Sequence, residues 1–129
     1  MTVDEKGERI RITSDAELQS TFLRAANDAR ARGLLNVAFV EVPAGHIMGV
    51  VVGGDESALS FTSDHQDPPY LESRGVETGI KPVLTCYVSY VHHTELPRYR
   101  VIPYTLALKA VQEFAATGVL PGCVQWVET

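Results

Sequence analysis

The chain has 129 residues, of which 45% are hydrophobic and 21% charged, and its formal net charge is −5. That length and balance fit one globular domain spanning 1–129, able to bury a real core without disulfides, and they exclude a disordered chain. The acidic surplus argues against direct nucleic-acid binding, because a phosphate backbone must be met by Lys and Arg.

Met1 to Arg11 is too polar for the apolar core of a signal peptide. Within and after it, Glu8 to Thr13 alternates Ile10 and Ile12 with Arg9 and Arg11, as a half-buried strand does. Ser14 opens a helix, with Glu17 at the capping-box spacing. Asp15 and Glu17 fall in its first turn and Arg30 and Arg32 near its end, matching the helix dipole. Leu18, Phe22, Ala25, Ala26 and Ala29 make its apolar stripe, and Gly33 stops it.

Strands are expected at Val37 to Val42, Ile47 to Val52 and Ala58 to Thr62. The short Pro43-Ala44-Gly45 and Gly53-Gly54-Asp55 connections make these antiparallel hairpins, since parallel neighbours need a crossover. Ser63 to Gly79 is a long polar connection, with a short strand around Tyr70 to Ser73. Val83 to Val91 is rich in β-formers and is the expected central strand, and a further strand is expected at Arg98 to Ile102. Pro103 suits a helix N-terminus, Ala107, Ala110, Val111 and Phe114 form a second helical stripe, and Gly118 ends it. Val124 and Trp126 fit a short last strand with one inward face. The predicted fold is α+β: an antiparallel sheet with an N-terminal and a C-terminal helix.

The longest apolar runs fall far short of the ~20 residues that span a bilayer, so no membrane partner and a cytoplasmic location are expected. Cys86 and Cys123 lack CxxC spacing and sit in apolar runs, which predicts buried thiols of a reducing compartment and leaves a disulfide as the alternative.

Chemistry-bearing motifs are sparse. His46, His65, His92 and His93 form no HExxH or Cys₂His₂ pattern, and adjacent histidines on extended backbone point to opposite faces. Ser57 and Ser60 lack a nucleophile elbow, and Gly53-Gly54-Asp55-Glu56 is no phosphate loop. Cys86 shares a predicted strand face with Leu84, Val88 and Tyr90, which makes it core rather than nucleophile. No cofactor, metal or catalytic residue is predicted, and the chain reads as a binding protein rather than an enzyme.

The charge distribution points to where it binds. Asp55, Glu56, Asp64, Asp67, Glu72 and Glu77 fall in one stretch with a single base, Arg74, while the remainder is neutral. Concentrated charge of this kind steers an oppositely charged partner. The candidate contact residues are Asp55, Glu56, Asp64, Asp67, Tyr70 and Glu72, joined by His92, His93 and Glu95. The alternatives are a solvated acidic face, a ligand-binding or enzymatic domain using the His92–Glu95 strip, and self-association through edge strands.

Several blocks carry a resemblance. They are Gly53-Gly54-Asp55-Glu56-Ser57 with Leu59 and Phe61, Pro68-Pro69-Tyr70 followed by Gly75, and His93-Thr94-Glu95-Leu96-Pro97. A last block runs from Ile102-Pro103 through Ala107, Leu108, Ala110 and Phe114 to Thr117-Gly118, Pro121 and Val124-x-Trp126. In order and spacing they resemble immunity family one of bacterial polymorphic toxin systems, although Leu96 stands where an aromatic is expected. The resemblance implies an antidote to a cognate toxin domain, one directed at nucleic acid (a nuclease or a nucleobase deaminase) and therefore basic. It also implies that much of the glycine, Pro-Pro-Tyr and Trp pattern is structural.

Overall fold

The computed structural model describes residues 1–75 and 82–129. Glu77 and the last residues of the predicted polar connection lie outside them.

The chain opens with a hairpin, β1 (Thr2–Asp4) and β2 (Arg9–Arg11), followed by α1 (Asp15–Ala31). The Ser14 hydroxyl accepts the Glu17 N–H at 3.2 Å, as the capping box requires. Glu17 itself reaches one residue further back than the usual box, taking the Thr13 N–H at 3.2 Å and its hydroxyl proton at 2.9 Å. Ser14→Ala should therefore cost roughly 1 kcal/mol in urea unfolding. The predicted stripe is the buried face of α1, with Thr21 added to it.

Then come β3 (Asn36–Glu41), β4 (Ile47–Val52), the short β5 (Glu56–Ser57), β6 (Leu59–Thr62) and β7 (Leu71–Arg74). A second hairpin, β8 (Val83–Val88) and β9 (His92–Pro97), leads through a 3-10 turn, Arg98–Arg100, into the short β10 (Ile102–Pro103). The second helix, α2 (Tyr104–Thr117), buries the four residues of its predicted stripe and ends at Gly118 in the left-handed region. The last strand is β11 (Gln125–Glu128). The fold is α+β with both helices near the expected positions, and it is richer in sheet than expected.

The sheet runs β11-β7-β6-β4-β3-β1-β2, every pair on that path antiparallel. Both helices pack on one face. There Ala38, Val40, Met48, Val50 and Val52 meet Leu18, Phe22, Ala110 and Phe114 in the main core. Residues one step along the same strands, Val37 and Val51 among them, point to the helix-free face and a second, smaller core.

Val83 to Val91 is not the central strand. β8 meets β3 only at Asn36 and Val37, in parallel, beside the stretch of the same edge that β1 occupies. Its other partner is β9. Burial explains the difference: a central strand covered on both sides buries successive residues, as β4 does, whereas β8 buries Leu84 and Cys86 but exposes Thr85 between them. The β8–β9 hairpin instead folds over the helix-free face, where Leu84, Cys86 and Leu96 join Val51, Ala58 and Val101. The predicted strand at Arg98 to Ile102 is likewise mostly a turn, closed by the Val101 N–H on the Arg98 carbonyl.

The hairpin is tied down at its tip. Ser89 and Tyr90 both have positive φ, 52° and 63°. The buried Asn36 side chain accepts the Tyr90 N–H at 3.1 Å and donates to the Glu5 carbonyl at 2.8 Å. The Arg32 guanidinium lies 4.0 Å from the Tyr90 ring centre, and the Tyr90 hydroxyl donates to Glu5 Oε2 at 3.4 Å. Burial first, and then the neighbouring Asp28, hold the Glu5 carboxyl above the usual carboxylate range. The folded state thus penalises the charged form of Glu5, a cost fully present at neutral pH and removed as pH falls through the raised value. Glu5→Gln should be more stable than the wild type at pH 7, and that advantage should vanish on acidification below the ordinary Glu range. Urea titrations at both pH values check it.

Candidate functional site

The helix-free face is covered only in part. The β8–β9 hairpin roofs the Val37–Val51 end and leaves an apolar cleft of about 170 Å³ beneath it. Val37, Phe39, Val51, Cys86, Val88 and Leu96 supply its apolar walls. Ser60, Thr94 and the Glu72–Arg100 ion pair supply its polar ones. Burial pushes the Cys86 thiol up to about 11, so it stays protonated at neutral pH and cannot act as a thiolate. Both cysteines are free thiols.

Beyond the roof, the same face continues past Phe39 to Ile47 and Thr62, and there it becomes acidic. Asp4, Glu41 and Gln66 line a shallow depression with Arg9. Thr62 pairs with Ile47, so the loop that follows β6 brings Asp64 and Asp67 to this end of the sheet. The Asp64 N–H donates to His46 Nδ1 at 3.0 Å, which fixes the start of that loop. The Asp64 carboxylate lies 3.8 Å from His46 and 3.6 Å from His65. Arg9 lies 3.4 Å from Glu41, on side chains that are 72% and 33% exposed, and offsets its charge, so the surplus at this end rests on Asp4 and on the exposed acids of the loop after β6.

The structure divides the residues singled out in the sequence. Asp64 and Asp67 are both exposed in the loop after β6, but neither lines the depression, and Asp64 leans on His46, whose ring meets Phe61 on the helix-covered side. Tyr70 closes the same loop, 42% exposed, with its hydroxyl donating to the Gln66 carbonyl at 2.9 Å. Asp55 and Glu56 follow the opposite end of β4, roughly 17–20 Å away by strand length. Glu56 is ion-paired with Arg98, and Glu72 with Arg100 inside the cleft wall, so neither offers a free charge to a partner. The His92–Glu95 strip splits by strand alternation. Thr94 and Leu96 face the cleft, and His92 shares their side. His93 and Glu95 point the other way, 4.0 Å apart, with His93 edge-on to Tyr87.

Asp4 and Glu41 were not legible as site residues. Glu41 could have been found from alternation, since it shares the Val37–Phe39 face of its strand. Asp4 belongs to a strand too short to carry a pattern.

The residues that carry the family resemblance hold the fold together. Gly53 has φ 116°, and a Cβ there would stand 2.9 Å from both the Ala29 Cβ and the Leu34 carbonyl oxygen. The buried Ser57 hydroxyl donates to the Val51 carbonyl at 2.7 Å. Leu59, also in that pattern, donates its N–H at 2.8 Å to Ser73, whose hydroxyl donates to the Arg100 carbonyl at 2.8 Å. The Trp126 indole N–H donates to the Pro121 carbonyl at 2.9 Å, and its ring packs against Phe61.

Among the described residues, no group of three or more His, Cys, Asp or Glu is placed to hold a metal ion. No helix there is long and apolar enough to cross a membrane.

The helix-free face is thus half roofed, with an apolar cleft under the hairpin and the Asp4–Glu41 depression beyond it. The family model of immunity protein Imm1 matches residues 6–128, and the chain belongs to that family. No curated protein matches it closely enough to count as a relative. Membership implies a cognate toxin as the partner.

Proposed function

We propose that this chain is the antidote to a toxin domain that acts on nucleic acid, a nuclease or a nucleobase deaminase. It would shut that domain off in the cytoplasm by seating its acidic margin in the cationic substrate groove. The observation that supports this mode of action is the gathering of acids at one end of the sheet, where Asp4 and Glu41 line a depression with Arg9 and the loop after β6 adds the exposed Asp64 and Asp67. An enzyme that handles phosphate backbone needs Lys and Arg in its groove, and carboxylates at the mouth of an apolar patch complement that groove. Occupation alone blocks the substrate, so the chain contributes no chemistry of its own.

The test uses the toxin domain encoded beside the chain. The wild type should bind it and protect cells that express it. Asp64→Lys with Asp67→Lys should slow association about tenfold at low ionic strength and flatten its dependence on salt. Reversal at Asp55 should matter less, because that residue lies at the other end of β4. Association rates in the wild type that do not change with salt would remove the electrostatic mode.

A further inference from the structure

The cleft under the β8–β9 hairpin has no role in the fold that its own lining does not already fill. Building on the antidote reading above, we infer that it is an anchor pocket, taking one aromatic side chain from a loop of the toxin whose neighbouring residues are basic.

Size is the first argument. At about 170 Å³ the cleft holds one six-membered ring, since a dry apolar cavity of about 150 Å³ accepts benzene. Lining is the second. Six apolar side chains would desolvate a ring face. The Thr94 and Ser60 hydroxyls and the Arg100–Glu72 pair add polar groups without net charge. That environment suits a phenol or indole and disfavours a charged head. Position is the third. Phe39 lines both the cleft and the acidic depression, so a loop whose ring entered the one would lay its flanking residues on the other. Carboxylates there favour flanking Lys or Arg. An aromatic anchor in a pocket beside a charged margin is the arrangement in which a few residues carry most of the binding energy.

Two experiments decide it. In the first, p-cresol is titrated into the isotope-labelled wild-type chain as a stand-in for a tyrosine side chain. Amide shifts should centre on Val37, Val51, Cys86, Val88, Thr94 and Leu96. Shifts centred on the groove between the two helices, or none at all, would overturn the assignment. In the second, the cleft is filled by Thr94→Trp and, separately, by Ser60→Phe, so that a folding failure in one leaves the other to decide. Each should weaken binding of the neighbouring toxin domain roughly a hundredfold and abolish the p-cresol shifts. A wild type that binds the toxin while both folded variants bind as well removes the anchor and leaves the antidote reading standing. A wild type that fails to bind removes both. Sedimentation as a dimer that p-cresol dissociates would make the occupant a second copy of the chain, and that too overturns the inference.

Discussion

Gly75→Ala should destabilise the chain by roughly 3 kcal/mol, lowering the midpoint of thermal unfolding by about 10 °C. Gly75 follows β7, and its N–H donates to the Tyr99 carbonyl at 2.6 Å. A Cβ there would stand 1.7 Å from the Val101 carbonyl oxygen and 2.7 Å from its carbonyl carbon. Both atoms are backbone, so no rotamer can make room and two chain segments must separate. The displaced segment carries Arg100 into the cleft wall and Val101 into the second core, so the damage reaches the binding face. Gly122→Ala is the matched control. Nothing lies within 4 Å of a Cβ at that position, and the change should stay within about 0.5 kcal/mol.

Removing Glu72 should be almost as costly as crowding Gly75. Glu72 and Arg100 are ion-paired with only 19% of each side chain exposed. Their charges were desolvated together, so Glu72→Ala strands a guanidinium that burial already disfavours in its charged form. A fully buried pair broken in this way loses ~3–5 kcal/mol. With a fifth of each side chain still wet, roughly 2–3 kcal/mol is the expectation here. Replacing both partners by methionine should recover most of that loss, because it removes both desolvation costs and keeps apolar volume in the wall. The same pair separates charge from function. The double variant leaves the net charge unchanged, so its association with the toxin domain should keep the wild-type salt dependence.

The parts of the fold legible in the sequence were those written in local pattern. Ser14 with Glu17, the alanine-rich stripe and Gly33 mark α1, while Pro103, the Ala107–Phe114 stripe and Gly118 mark α2. Ile47 to Val52 is β4 to the residue, because glycine-bearing turns flank a continuous apolar run. What stayed hidden depends on partners far along the chain. Whether the β-rich Val83 to Val91 would be central or a roof is decided by what covers its second face, and its own residues do not record that. Six acids in one stretch read as one charged surface, yet Arg98 and Arg100 return from a distant turn to neutralise Glu56 and Glu72. Strand pairing then adds Asp4 and Glu41 from segments whose own charge is unremarkable. The candidate site is a product of topology, and a reading by sequence segment reaches Asp64 and Asp67 but not Asp4 and Glu41.

Hydrogen exchange on the chain, alone and bound to its cognate toxin domain, tests the central claim most directly. Slowed exchange should appear in β7, in the loop carrying Asp64 and Asp67, and along β8 and β9, with α1 and α2 unchanged. Protection confined to the exposed faces of the two helices, with the opposite side of the sheet exchanging as in the free chain, would contradict it.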